Sequence, residues 1–140
     1  MAKLRRSSCA RRIMGENLDS DEVTQLLDKL PTKAERKGDR TDYPSGRFKI
    51  AWGGMWRIIA ERREPGDLDG QVAEILAGTT EDLAVWRDLS FRFEVQMFVG
   101  LFLEERNEGL YISREATALL GARGIALDLD IQDGRDDSGR

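Results

Sequence analysis

The chain has 140 residues, enough for one domain with a hydrophobic core, and 34% of them are charged. Its net charge of −4 argues against a general nucleic-acid binder, because such a protein needs a positive surface to neutralise phosphates. It has no histidine and one cysteine, which excludes an intramolecular disulfide, a cysteine-based zinc site and any catalytic group built on histidine. We therefore expect a non-enzymatic protein without cofactor or metal.

Compartment and domain limits follow from the distribution of apolar residues. The longest apolar run, residues 95–103, is far too short to span a bilayer, and the N-terminus lacks the apolar core of a secretory signal. We expect a cytoplasmic protein with no membrane contact. Residues 1–8 are predicted as a flexible basic N-terminus, residues 9–131 as a single domain, and residues 132–140 as a disordered polar tail.

The first half of the chain predicts a strand, a helix, a polar connection and a β-hairpin. The strand covers residues 9–14, and an apolar stripe predicts a helix that ends before Pro31. Residues 33–46 are rich in charge and turn formers, which is typical of a mobile connection. The hairpin would pair residues 48–52 with residues 55–59 across a Gly-Gly turn, and the alternative is that residues 48–52 form an ordered loop.

The second half predicts helices and strands in alternation. An apolar stripe indicates helices, and residues that alternate between apolar and polar indicate strands. The helices are residues 68–76, 79–89 and 113–123, and the strands are residues 91–103, 110–112 and 125–131. This order predicts an α+β fold with a five- or six-stranded, mostly antiparallel sheet and helices packed on one face.

A short pattern, Ser-x-Glu-x-Thr-x-Leu-Leu, occurs at residues 20–27 and again at residues 113–120. Each copy lies where an apolar run gives way to a helical period. In the first copy, Asp19 or Ser20 can cap the helix. The repeat predicts two related strand–helix–strand units.

Several segments, taken in order, resemble a known family. They are ARRIMGENLDSDEVTQLL, PTKAERKGD, GGMWRI, FEVQMFVGLF and GLYISREATALLGARGIALDLDI. Together they resemble the bacterial domain-of-unknown-function family 4279 over residues 9–131. The resemblance implies an α+β fold and a bacterial source, and it carries no activity and no catalytic residues. Arg11 departs from the family pattern, where an apolar residue is usual, and this suggests that its strand lies at a sheet edge.

Two features are candidates for partner binding. The charged loop around Gly38 lacks the spacing of a phosphate-binding loop and is either a solvated turn or a partner-facing loop. Trp56 and Trp86 are predicted core residues, whereas Trp52 fits the core and an exposed anchor equally well. The candidate partner-binding residues are Arg36, Lys37, Asp39 and Trp52.

Two further constellations have weaker support. Asp128 and Asp130 share one face of a strand. We interpret them as the polar face of that strand, and ligands of a hard cation are the less favoured alternative. A basic patch for nucleic acid is a minority hypothesis because of the acidic balance. That patch would comprise Arg5, Arg6, Arg11, Arg12, Arg57, Arg62 and Arg63.

We favour a non-enzymatic protein-interaction domain, immunity-like or self-associating. Its partner would be another protein or a second copy, bound through a sheet face or edge and the loop at residues 33–46. The alternative is a small-ligand or nucleotide-binding regulatory domain, with the ligand between the sheet and the helices of residues 68–89. A weak nucleic-acid binder comes third.

Overall fold

The computed structural model describes residues 2–133, which form four helices and nine strands. The helices are α1 (Ser20–Leu27), α2 (Leu68–Leu76), α3 (Leu83–Arg92) and α4 (Arg114–Ala122). The strands are β1 (Ala2–Lys3), β2 (Arg6–Gly15), β3 (Lys33–Glu35), β4 (Arg40–Asp42), β5 (Phe48–Ile50), β6 (Gly54–Ile59), β7 (Glu94–Leu103), β8 (Glu108–Gly109) and β9 (Ala126–Asp133). Within the described residues, no helix has both the length and the apolar character to cross a membrane.

Five strands form the main sheet, in the order β3-β6-β2-β7-β9. Neighbouring strands are antiparallel except β7 and β9, which are parallel. Strands β4 and β5 form a separate antiparallel pair, and β1 pairs with β8. The predicted α+β fold with a five-stranded, mostly antiparallel sheet is confirmed.

Helices α1 and α4 occupy equivalent places in two strand–helix–strand units. Helix α1 follows β2 and precedes β3, and α4 lies between β7 and β9. Strands β2 and β3 run in the same direction because both are antiparallel to β6. The units differ in their caps, since Asp19 caps α1 from outside the repeated pattern whereas Ser113, inside it, caps α4.

The core lies between one face of the sheet and the helices. On β2, β6 and β7 the inward residues alternate with outward ones, as a sheet with one covered face requires. Helix side chains that meet them in one cluster are Val23, Leu27, Leu68, Val72, Ile75, Trp86, Leu89, Ala116 and Leu120. The opposite side of the main sheet is the open face.

Polar groups at this interface form hydrogen bonds between the two layers. Gln71 of α2 is fully buried, and its Nε2 donates to the backbone oxygens of Ser7 and Glu61. The Ser7 hydroxyl donates to Gln71 Oε1 at 2.7 Å. Trp56 Nε1 donates to Thr24 Oγ1 of α1 at 3.0 Å. Satisfied pairs of this kind hold α1 and α2 in one position on the sheet.

Arg11 is the exception, because it is fully buried without a hydrogen-bond partner among the described residues for its guanidinium nitrogens. Its guanidinium carbon lies 4.7 Å from the ring centroid of Trp86 and 5.4 Å from that of Trp56. Burial, with a smaller contribution from Arg123, lowers the pKa of Arg11 to about 9. Strand β2 is the middle strand, so the expectation that Arg11 marks an edge is wrong. The two indole rings provide aromatic faces for the planar guanidinium group inside the core.

The predicted hairpin is wrong, because β5 pairs with β4 whereas β6 pairs with β2 and β3. The two glycines serve close packing and not a hairpin turn. A Cβ on Gly54 would overlap the backbone oxygen of Leu18, and one on Gly53 would lie 2.7 Å from the backbone oxygen of Gly15. A Gly-Gly pair is therefore ambiguous in sequence, since tight turns and close backbone approaches both require it.

Other boundaries also move. Residues 33–46, predicted as an unstructured connection, contain β3 and β4, because an edge strand can be held by backbone pairing without an apolar pattern. Phe91 and Arg92 end α3, so the strand predicted from residue 91 begins at Glu94. Residues of the predicted N-terminal segment lie in β1 and at the start of β2, and β9 extends to Asp133. Residues 134–140 of the predicted tail lie outside the described residues.

Replacing Arg11 with methionine is expected to raise the free energy of unfolding by about 1–2 kcal/mol, because the change removes an uncompensated buried charge and keeps the volume. Urea unfolding measures the difference, and Arg87→Met on the exposed surface of α3 is the control. Destabilisation by more than about 1 kcal/mol would mean that stacking on the two tryptophans outweighs the desolvation of the charge.

Candidate partner-binding site

Three cations lie side by side across the open face. The strand registers place Lys33 of β3 opposite Arg57 of β6, and Arg57 opposite Arg12 of β2. Neighbouring strands are about 4.8 Å apart, so the three backbone positions span about 10 Å. We call these residues the cation row. Like charges directly opposite each other destabilise a sheet, so this arrangement is a local cost.

The cation row is only partly neutralised by the protein. Arg12 lies over the Phe98 ring at 4.1 Å and donates to Gln96 Oε1 at 2.7 Å, with the Asp128 carboxylate at 3.8 Å. Among the described residues, Arg57 and Lys33 form no ion pair, and an Arg57 terminal nitrogen donates to the Met55 sulfur at 3.3 Å.

The row borders a cleft of about 310 Å³, which we call the hairpin cleft because β4–β5 forms one wall. Met14 and Met55 line it on the side of the sheet. Trp52 lines it too and is 68% exposed. The remaining lining residues are Arg12, Glu35, Lys49, Ile50, Ala51, Gly53, Gly54 and Arg57. A smaller cleft of about 160 Å³ lies on the other side of the row and includes Ile59 and Phe98.

Backbone hydrogen bonds fix the position of Trp52. The preceding residue, Ala51, accepts from the N–H of Gly38 and donates to the backbone oxygen of Asp39, both at 2.8 Å. Gly38 adopts a φ of 91°, which a residue with a side chain rarely adopts. The turn around Gly38 thereby holds the chain at Ala51, and the indole of Trp52 projects from a fixed base.

The structure separates the four candidate residues into two places. Arg36 and Lys37 pair with Asp21 and Glu16 at 3.1 and 3.0 Å, and they line a groove beside the start of α1. The Asp39 carboxylate accepts the backbone N–H of Arg36 at 2.9 Å and so shapes the turn. Trp52 alone lines the hairpin cleft, which makes it the member of the set with an exposed apolar surface.

The other tryptophans occupy the predicted positions, since Trp56 and Trp86 are both fully buried. The minority basic patch is divided between environments. Arg11 is in the core, whereas Arg63 is held by Asp67 and Glu74 at 3.1 and 2.8 Å. Core side chains lie between the sheet and α2–α3, where the alternative hypothesis puts a ligand.

Asp128 and Asp130 lie on the open face of β9, opposite Phe98 and Gly100. Asp130 accepts from Gln132 at 3.0 Å, and Asp128 is near Arg12. Over residues 2–133, no three acidic or cysteine side chains come together as a metal site would require. These contacts fit the reading of the two aspartates as the polar face of a strand.

Sequence reasoning missed the cation row as a unit. The sequence indicates Arg12 and Arg57 only as members of a diffuse basic patch, and it predicts Lys33 in a polar connection. In the structure, alternation along β2 places Arg12 on the side away from the core, and the pairing of β6 with β2 and β3 supplies its neighbours. A register between strands that are distant in sequence leaves no local pattern.

Cys9 is the one thiol of the chain, and its chemistry is suppressed. It is buried against the helices, and burial, with a smaller contribution from Glu74, raises its pKa from 9.0 to about 12. The thiolate is the reactive form, so the folded protein holds this group in its inert state.

Comparisons with known proteins give one match. A family model described as Domain of unknown function (DUF4279) matches residues 6–134. No curated protein matches the chain, and no solved structure does. The match covers the main sheet and all four helices, so it includes every residue of the cation row and of the hairpin cleft.

The buried thiol predicts a pH dependence of stability. Because the folded pKa of Cys9 is above the unfolded one, its contribution is complete below pH 9 and is lost as the pH rises toward about 12. The difference in the free energy of unfolding between wild type and Cys9→Ala should therefore be constant near pH 7 and fall above pH 9, as followed by urea unfolding. A difference independent of pH would contradict the buried, protonated state.

Proposed function

The chain belongs to the DUF4279 family, whose description assigns no activity, and on that premise we propose that it is a non-enzymatic protein-interaction domain that binds its partner on the open face of the sheet. The observation that carries the proposal is the exposed Trp52 beside a partly neutralised cation row, two members of which, Arg12 and Arg57, line the same cleft. Tryptophan and arginine are the residue types that most often dominate binding energy at protein interfaces.

Exposed apolar side chains extend this surface. Phe48 and Ile50 of β5 are 55% and 52% exposed, and Ile59 at the end of β6 is 46% exposed. Ile50 and Trp52 line the hairpin cleft, and Ile59 lines the smaller cleft across the cation row. An apolar surface interrupted by cations suits a partner that brings both apolar and charged groups.

A small ligand is the second candidate, favoured by the volume of the hairpin cleft. About 310 Å³ is at the lower end of the range for small-molecule sites. Such sites usually enclose most of the ligand, whereas this one is bordered by the exposed Trp52 and Ile50. The open shape favours a segment of a protein over an enclosed metabolite.

Nucleic acid remains third. The open face also carries Glu35 and Glu94 in the row on one side of the cation row and Asp128 in the row on the other side. A phosphate backbone would meet these carboxylates along with the cation row, so electrostatic attraction would be largely cancelled.

Self-association through the β9 edge is opposed by charge. Leu127, Leu129 and Ile131 are exposed on one side of β9, which makes this edge an apolar surface that a second copy could cover. A two-fold antiparallel pair centred on Leu129 would, however, place Asp128 opposite Asp130 at both ends. Opposed carboxylates disfavour that pair, so we assign the partner role to another protein.

Source and compartment complete the proposal. We infer a bacterial cytoplasmic protein. An immunity-like role, in which the domain blocks another protein by binding it, is one form of this proposal.

Trp52→Ala is expected to abolish capture of a stoichiometric partner from a lysate of the source organism, because the indole is the largest exposed apolar group at the cleft. Phe91→Ala is the matched control, since Phe91 is a 90% exposed aromatic on α3, beyond the covered face of the sheet. The captured protein, once purified, should bind the wild type and Phe91→Ala at 1:1 in calorimetry.

Equal capture by all three proteins would place the interface elsewhere. The absence of any stoichiometric partner, combined with a thermal shift produced by a small anionic compound, would replace the proposal with the ligand-binding alternative.

Asp130→Lys is expected to convert the chain into a dimer. In the pair centred on Leu129, the introduced lysine would face Asp128 of the second copy twice, and three apolar residues of each edge would become buried. Sedimentation equilibrium measures the change, with Glu81→Lys, an exposed residue before α3, as the control of equal charge. A wild type that already dimerises through β9, or a monomeric Asp130→Lys variant, would contradict the argument.

A further inference from the structure

We propose that the partner segment bound at the open face is acidic, with carboxylates that pair with the cation row and an apolar residue that packs on Trp52. This inference rests on the proposed function, since it specifies the chemistry of the partner at the same site. The net charge of the chain is negative, so the overall composition does not predict an acidic partner.

The charge of the cation row is neutralised only in part. Lys33, Arg57 and Arg12 lie on consecutive strands, and among the described residues the only carboxylate within 4 Å of their charged nitrogens is Asp128, 3.8 Å from Arg12. Arginine donors arranged in this way match carboxylate oxygens, which accept charge-assisted hydrogen bonds.

Apolar side chains lie on both sides of the cation row. Met14 and Met55 lie on one side, in the hairpin cleft, and Ala10, Ile59 and Phe98 lie on the other. Anionic groups over the row would therefore have apolar neighbours on both sides. An extended peptide that alternates acidic and apolar residues presents carboxylates about 7 Å apart, within the roughly 10 Å span of the row.

Carboxylates lie beside the cation row on the open face. Glu35 and Glu94 are the outer residues of the next row of the sheet, with Met55 and Met14 between them. Glu35 is paired with Lys49 at 3.9 Å across the hairpin cleft. These acids penalise a continuous polyanion, whereas a short acidic segment can place its charges over the row alone. The charge pattern thus favours a protein segment over a nucleic acid.

The test uses two fluorescein-labelled ten-residue peptides, one that alternates Glu with Val and one in which Gln replaces each Glu. Fluorescence anisotropy should show the Glu peptide to bind at least about tenfold more tightly, the size expected for a hydrogen bond to a charged group. Arg57→Gln and Arg12→Gln should each weaken it by about tenfold, and Arg87→Gln, the exposed control on α3, should leave it unchanged.

Iodide quenching locates the bound peptide, because Trp52 is the exposed tryptophan whereas Trp56 and Trp86 are fully buried. Bound Glu peptide should protect the quenchable emission. Equal binding of both peptides with protection of Trp52 would overturn the acidic partner and leave the interaction function standing. Absence of binding by the Glu peptide would overturn the inference. Protection by inorganic phosphate alone, with neither peptide active, would overturn both the inference and the proposed function.

Discussion

The stack of Arg11 between Trp56 and Trp86 is the constraint on which the rest of the structure depends. It places a full positive charge in the core, where within the described residues only aromatic faces and packing compensate for lost water. Strand β2 must then be the middle strand, since only there do helices and flanking strands close over the side chain. Nearby, Gln71 is held by Ser7 and Glu61, so the same interface contains a satisfied polar contact and an unsatisfied one. Satisfied contacts hold the layers in register, and the buried cation limits what else can be packed beside it.

The inward position of Arg11 also determines the open face, because adjacent residues of a strand point to opposite sides. Arg12 must therefore face outward, where the pairing of β2 with β6 brings Arg57 beside it and the pairing of β6 with β3 adds Lys33. The chain has its helices on the other side of the sheet, so these cations meet solvent. The β4–β5 pair covers only one end of this face, and its far end carries Trp52 into the resulting cleft.

A binding function suits the chemistry that these positions provide. The thiol is buried and protonated, and the charged groups of the open face are spread across strands and not focused on one reacting atom. The face combines cations, an exposed indole and thioether side chains, a combination suited to the proposed recognition of a partner by shape and charge. In the same proposal, the acids on β9 would oppose pairing of its apolar edge with a second copy.

The sequence by itself determined the elements that have a strong local period. Helices α1, α2 and α4, the buried Trp56 and Trp86, and the α+β class follow from apolar stripes and alternation, which act between near neighbours. Strand order, the separation of β5 from β6 and the short edge strand β3 depended on contacts between distant residues. The Gly53-Gly54 pair shows the reason. These glycines are required because the backbone at Gly15 and Leu18 approaches them closely, and not because they form a turn. Candidate site residues divide in the same way. The sequence allows both an exposed and a buried Trp52, whereas the cation row forms only because the strand register brings its three residues together. Register is decided by the tertiary structure. Backbone hydrogen bonds between strands are the same whichever side chains are paired, so the local sequence does not specify which residues become neighbours.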